Sequence, residues 1–380
     1  MRIVFVSNFF NHHQKYICEA LHRITGGNFI FIETKAMSEE RIALGYAMNE
    51  KPSYVVTLTD PKKHRMLAQY TQNADVLIYG SAELFSEKYF RSSKALCFRY
   101  AERPLKRGIQ IHKYPYRYIM WHRRNPKRKN IFVLCASAYT ASDYAKFGLF
   151  KKHTYKWGYF PETKKYDDFS KLLSEKKRHE ILWCGRFLDW KNPEDAIRIA
   201  IRLKNDGYHF VLNIIGNGIL EARMREMIEK NNLTECVHLL GSMKPEKVRE
   251  HMESAGIYLF TSNFREGWGA VLNESMNSGC AVVASDAVGS VPFLLKSNEN
   301  GYIYESENIN DLYEKVKYLL DHPEEQVRVG RNAYQTIIDT WNSEKAAERL
   351  VELSEHLLNG ESYPLLYEDG PCSYAKAKPH

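Results

Sequence analysis

The sequence predicts an α/β protein of two doubly wound domains, each a parallel sheet with helices on both faces. Three observations carry this expectation. Short β-branched and aromatic runs alternate with amphipathic stretches along most of the chain. Those runs are apolar almost throughout, as strands buried on both faces must be. The 380 residues exceed what one ordinary core holds, so the pattern divides in two.

Taken in order, the first half offers strands at 2–8 (RIVFVSN), 28–34 (NFIFIET), 54–58, 75–81 (DVLIYGS), 95–100 and 132–138 (FVLCASA). Helical stretches at 11–24 and 142–150 lie between several of them. The second half repeats the plan at 181–187 (ILWCGRF), 210–216 (FVLNIIG), 237–241, 257–262 (IYLFTS) and 281–286. The polar segment 156–180 separates the halves and sets the expected domains at 1–160 and 161–341. Residues 342–360 read as a capped amphipathic helix closed by Gly360 and packing back towards the N-terminal domain. Residues 361–380, with Pro364, Gly370, Pro371 and Pro379, read as a loose tail.

A net charge of +8 suits anionic partners without requiring nucleic acid. The seven cysteines show no C-x-x-C spacing, and most sit in apolar runs. They read as reduced core thiols, not as a disulfide framework or a zinc site. The opening MRIVFVSNFF has the pattern of a strand, not of a signal peptide. No apolar run approaches the ~20 residues that span a bilayer. The expectation is a cytoplasmic protein, soluble or peripheral on the inner face of the plasma membrane.

The stretch IYLFTSNFREGWGAVLNESMNSGCAVVAS (257–285) reads strand, loop, helix, strand, with the helix running from near Gly269 through Met276. Its glycine-rich opening lets backbone N–H groups approach an anion at the positive end of a helix. Glu266 lies on the loop and Glu274 about one turn into the helix. As a metal pair they lack His or Asp neighbours at ligand spacing. As an acid/base pair they need a mutual geometry that the spacing does not ensure. As clamps on vicinal hydroxyls beside a phosphate cradle they suit ribose or hexose recognition. The plain alternative is one solvated loop glutamate and one helix-capping glutamate.

The E-x7-E spacing of Glu266 and Glu274 resembles the retaining GT-B glycosyltransferases of family 4. CGRFLDWKNPEDAIRIA (184–200) is similar to that family's Gly-Arg…Lys segment through Gly185, Arg186 and Lys191. IIGNGILEARM (214–224) resembles its G-x-G turn through Gly216 and Gly218, and VHLLGSMKPEKV (237–248), with Met243, its nucleobase-holding strand and loop. These motifs fall in the family's order over 181–292. The first half resembles the family only in architecture and in LCASAYTASDYAKFG (134–148).

The resemblance implies a GT-B fold, two Rossmann-like domains facing a cleft, with a nucleotide sugar held mainly by the second. It implies the diphosphate on Arg186 and Lys191, the donor sugar near Glu266 and the ribose hydroxyls on Glu274. Further donor contacts are implied at Gly185, Gly216, Gly218, Met243, Gly267, Trp268, Gly269 and Ala270. Two fixed cations can stabilise a leaving diphosphate as a divalent metal would, so the reaction is expected to need no metal and no cofactor beyond the nucleotide-sugar co-substrate. Asn192 is placed to cap the next helix and Pro193 to open it.

The chain also departs from the family. A frequent Gly-Gly pair after the first strand is here SNFFNHHQ (7–14), in which Asn11 can cap the first helix. His12 and His13 then fall in its opening turn, either in the cleft or on a plain surface turn. A common Pro-Glu is GSVPFLL (289–295), with Phe293 in place of the acid. Glu102, with Tyr100 and Arg103, stands by order alone where the family has a histidine.

Residues 103–129 hold ten Lys or Arg and no acid, interleaved with Tyr114, Tyr118 and Trp121 at roughly helical spacing, and Pro115 rules out one long helix. Such a segment is a solvated basic face with its aromatics in the core, a docking surface for anionic membrane, or a groove for single-stranded nucleic acid. No nucleic-acid partner is expected. The whole reads as a hexosyltransferase, with a UDP-sugar favoured as donor. It would act with retention on a sugar or lipid-linked acceptor hydroxyl in bacterial surface-polysaccharide or glycan synthesis. The rivals are a nucleotide-sugar epimerase or hydrolase of the same fold and a non-catalytic docking protein.

Overall fold

Each apolar run of the first half becomes a strand of one parallel sheet. The computed structural model describes residues 1–39, 42, 48 and 50–377. The strands are β1 (Ile3–Ser7), β2 (Phe29–Glu33), β3 (Val55–Thr57), β4 (Val76–Tyr79), β5 (Leu96–Ala101), β6 (Ile131–Cys135) and β7 (Thr154–Lys156), in the order β3-β2-β1-β4-β5-β6-β7. The second sheet contains β8 (Lys177–Cys184), β9 (Val211–Ile215), β10 (Val237–Gly241), β11 (Ala255–Phe260), β12 (Ala281–Ser285) and β13 (Tyr302–Tyr304), in the order β10-β9-β8-β11-β12-β13. The pairings within both sheets are parallel, in register Ile3↔Val76 between β1 and β4 and Ile257↔Ile181 between β11 and β8. Both sheets are doubly wound.

In each sheet the strand order reverses beside the first strand, between β1 and β4 and between β8 and β11. A doubly wound sheet leaves its ligand crevice at the carboxyl ends flanking that point. The loops after β1, β4, β8 and β11 are therefore where chemistry is sought.

The chain forms two units, Met1–Glu162 with the segment from Trp341 onward, and Thr163–Thr340. The helix Ser343–Leu358 belongs to the first unit. Asn342 caps it by accepting from the Lys345 N–H at 2.8 Å, and its buried Ala346, Leu350 and Leu353 pack it against the helix His12–Ile24. An Arg23–Glu344 ion pair joins the two helices at the surface. Gly360, at φ +95°, closes it, with Glu361 N–H donating back to His356 O at 3.2 Å.

The stretch 361–377 is not a loose tail. Tyr374 forms an antiparallel bridge with Tyr155. Lys156 N–H donates to Ser373 O at 2.7 Å, and Cys372 N–H to Lys156 O at 2.8 Å. The Tyr155 hydroxyl donates to Pro364 O at 3.2 Å. The physical reason is the open edge of β7, whose unpaired backbone groups take the returning chain as a partner. Pro379 lies outside the described residues.

All seven cysteines are free, five of them buried. Among the described residues no helix is long and apolar enough to cross a membrane.

Candidate functional site

Two loops of the second unit, one after β8 and one after β11, are tied together by Thr261. The Thr261 hydroxyl donates towards Lys191 O at 2.8 Å and Asn192 O at 2.9 Å and accepts from the Trp183 indole N–H at 2.8 Å. The Asn192 side-chain amide donates to Thr261 O at 3.2 Å, and Asn263 N–H to Trp190 O at 2.9 Å. Asn192 occupies the residue before the helix Pro193–Asn205, but in the left-handed region (φ 48°, ψ 50°) and with no side-chain cap. The expected cap is absent because the amide is spent on the neighbouring loop. Pro193 does open the helix, and Glu194 and Asp195 in its first turn offset the positive end. At the rim, Arg265 pairs with Asp189 at 2.7 Å and lies over the Trp190 ring at 4.5 Å.

Lys191 and Glu266 meet across these loops as an ion pair, both side chains mostly buried. Arg186, on the same loop as Lys191, is exposed, and its guanidinium has no hydrogen bond or ion pair among the described residues. Glu274 lies one turn into the helix Val271–Asn277, its N–H bonded to Ala270 O at 3.2 Å. Its carboxylate is felt beneath the loops. Burial pushes the Cys184 thiol at the end of β8 up to about 12, Glu274 adds to the rise and Lys191 opposes it. Burial likewise lifts the Tyr258 hydroxyl well above the tyrosine range, with Cys184, Glu274 and Glu266 among the contributors. Lys191, Glu266 and Glu274 therefore share one electrostatic neighbourhood over the ends of β8 and β11.

The glycines make that arrangement compact. A Cβ on Gly216 would lie 1.9 Å from Gly185 O, and one on Gly218 2.6 Å from Phe187 O. Phe187 N–H donates to Asn217 O at 2.7 Å, which locks the G-x-G turn against the β8 loop. The turn thus packs backbone on backbone, and Gly185 is part of the same contact. Gly269, at φ +80°, faces the Phe260 ring, which a Cβ would meet at 2.3 Å. Gly267 is buried, and Ala270 immediately precedes the helix, which starts at Val271, two residues beyond Gly269. Met243 is half-buried in the loop after β10.

Trp268 does not present its ring to a ligand. It is fully buried, its indole N–H donates to Asn273 Oδ1 at 2.9 Å, and its carbonyl accepts from the Ser290 hydroxyl at 2.6 Å. Its large apolar ring gains more from the core than from the rim. Phe293, where the family has an acid, is buried beside it, with ring centroids 6.3 Å apart.

The first unit has its own polar cavity, of about 170 Å³, at the carboxyl ends of β1, β4 and β5, lined by residues that include Asn8, Asn11, His13, Ser81, Glu102 and Tyr159. Asn11 caps the helix His12–Ile24, its side chain accepting from His13 N–H at 2.9 Å while Gln14 Oε1 accepts from Asn11 N–H at 3.2 Å. That cap places the His13 ring against Tyr159, stacked at 6.1 Å. His12 packs against His13 at 4.0 Å, outside the lining. Glu102 accepts from the Tyr159 hydroxyl at 2.6 Å and pairs with Lys106. Gly80 is required here, since a Cβ would lie 2.8 Å from Ser7 Oγ. Arg103 turns away, both guanidinium arms reaching Asp143 at 3.3 Å.

Among the described residues no group of three or more His, Cys, Asp or Glu side chains is placed to hold a metal ion. Sequence reasoning did not single out Thr261, Asn263 and Trp190 in the second unit or Tyr159 and Ser81 in the first. A polar residue at the carboxyl end of a buried strand, directly after β11 for Thr261 and one glycine beyond β4 for Ser81, is the signal that could have found two of them.

Residues 164–336, which carry the loops just described, match the family of glycosyl transferases group 1. A poly(ribitol-phosphate) alpha-N-acetylglucosaminyltransferase of Staphylococcus aureus is 31% identical over 170 residues, 44% of this chain and 34% of that protein. A Campylobacter jejuni enzyme named for 4-alpha-N-acetylgalactosaminyl transfer to a diphospho-undecaprenol-linked sugar is 35% identical over 142 residues, 37% of each chain. This chain thus spans well under half the length of either relative. Among solved structures, Anabaena Alr3699/HepE in complex with UDP superposes with a TM-score of 0.71 at 13% identity, covering 93% of this chain and 100% of that one. A glycosyltransferase from Rickettsia africae superposes at 0.68 with 14% identity, covering 94% and 99%. These structural likenesses establish the fold.

Proposed function

We propose that the protein is a retaining glycosyltransferase that moves a hexose from a UDP-sugar to a sugar or lipid-linked acceptor hydroxyl. The observation that carries this reading is the convergence of Lys191, Glu266 and Glu274, with Arg186 on the same β8 loop, at the switch point of the unit that matches the group 1 family. Arg186 and Lys191 take the diphosphate, Lys191 exchanging Glu266 for a phosphate oxygen as the donor enters. Glu266, released from that pair, faces the donor sugar, and Glu274 accepts from the ribose hydroxyls. Uridine is favoured because structural neighbours of the same fold were solved with UDP. A lipid-linked acceptor is favoured by the acceptor named for the Campylobacter relative. Acceptor hydroxyls fit the polar cavity of the first unit, beside Glu102 and His13.

In the transfer, the bond from the anomeric carbon to the departing phosphate oxygen breaks while the bond to the acceptor oxygen forms on the same face. The acceptor's proton passes to the departing phosphate, and no side-chain nucleophile is needed. The two cations stabilise the growing negative charge without a divalent ion.

The test is release of UDP from a panel of UDP-sugars, with and without acceptor glycans, and again in EDTA. Acceptor-dependent release that EDTA leaves unchanged is the expected result. Product formed equally well without acceptor would favour an epimerase or hydrolase, and no turnover with any nucleotide sugar would defeat the proposal.

A further inference from the structure

We infer that residues 107–129 form a docking platform for an anionic lipid surface. The segment folds as a short turn, Ile111–Lys113, followed by the helix Tyr114–Arg124. Pro115 sits in its first turn, where a missing N–H costs nothing. The helix is anchored from beneath. Trp121 is buried and packs at 4.3 Å on Phe147, with Tyr114 stacked on the same ring at 4.7 Å. The preceding loop is also tied down, since the Arg117 guanidinium donates to Gly108 O at 3.0 Å and Ile109 O at 2.7 Å.

What this anchored element turns outward is apolar. Ile111 is 85% exposed, Tyr116 68% and Ile119 58%. Tyr116, Ile119 and Arg123, at i, i+3 and i+7, share one face. An isolated exposed isoleucine needs no explanation, but Tyr116 and Ile119 on one helix face, with Ile111 exposed in the turn that leads into that helix, mark a candidate interaction site. The rim decides the partner. Arg107, Lys113, Arg123, Lys127 and Lys129 are all exposed, and residues 103–129 contain no acid. Three acids of the same unit are paired elsewhere, Asp143 on Arg103, Glu102 on Lys106 and Glu87 on Arg99. Apolar side chains to enter the acyl boundary, a tyrosine for the headgroup level and unopposed cations together complement an anionic bilayer. A single-stranded nucleic acid would use aromatic stacking faces; Trp121 is buried, while Tyr116 and Tyr118 are exposed beside isoleucines that suit acyl chains and not bases. The inference stands apart from the transfer reading, because these residues lie outside the sites described for it.

The experiment is flotation of the full chain with vesicles of phosphatidylglycerol and phosphatidylcholine, against phosphatidylcholine alone. The wild type is expected to float with the anionic vesicles and to be released by salt. Replacing Lys113 and Arg123 by Gln should lower partitioning by roughly fivefold per residue. Replacing Ile111 and Ile119 by Ser should lower it at low and high salt alike. Because the substituted side chains are exposed, each variant should keep the wild-type melting temperature. Equal binding to neutral vesicles, or variants that float as well as the wild type, would overturn the inference. So would failure to bind vesicles together with binding to single-stranded RNA.

Discussion

Lys191 and Glu266 neutralise one another across two loops, so the ligand-free protein offers Arg186 as the open cation of the β8 loop. Under the proposed function, that asymmetry makes Arg186 the first residue to meet a diphosphate. Arg186→Ala is expected to lower kcat by about 10²-fold, the scale of losing one donor aimed at developing negative charge; steady-state kinetics with saturating donor would check it. Glu274→Ala should chiefly raise the donor KM, since hydroxyl contacts are made equally in the ground and transition states. At this scale the sequence disclosed local placement, with Glu266 on the loop, Glu274 one turn into the helix and Asn11 as a cap. It did not disclose that Lys191 and Glu266 are paired, because 75 positions separate them and only the meeting of two loops joins them. Nor did it disclose that Trp268 belongs to the core, since an aromatic beside glycines reads equally as a ligand platform.

The loops after β8 and β11 behave as one element because hydrogen bonds and ion pairs join them, with the Thr261 hydroxyl reaching two carbonyls of the β8 loop. Thr261→Val keeps the volume but orphans the Trp183 indole N–H and severs the links to Lys191 O and Asn192 O. The expected cost is about 1–3 kcal/mol, read as a lower urea midpoint with an unchanged slope, together with a raised donor KM. An unchanged midpoint and KM would show that the loops are held otherwise. Gly216→Ala is predicted to be more damaging than Gly218→Ala, because its Cβ meets Gly185 O more closely; thermal melting of the two variants would rank them. Eleven strands were readable because their apolar runs are long enough to stand out. β7 and β13 were not: they lie at 154–156 and 302–304 within polar stretches, whereas β3, an edge strand just as short, sits in the β-branched run YVVTL.

At the scale of the molecule, the chain returns to its first unit after completing the second, adding the helix Ser343–Leu358 and then the stretch along β7. The amphipathic helix was plain in the sequence, while the stretch along β7 was not, because its prolines and glycines suggest a loose end and its partner is an edge strand some 200 residues earlier. We propose that the strand-end loops of the second unit hold a uridine nucleotide through Arg186, Lys191 and Glu274. Calorimetric titration of UDP into the full chain tests this most directly, wild type beside Glu274→Ala and Arg186→Ala. The wild type is expected to bind saturably, with affinity reduced by roughly 10- to 100-fold in each variant, the loss of one charge-assisted contact. No heat with wild-type protein, or equal affinity in all three, would contradict it.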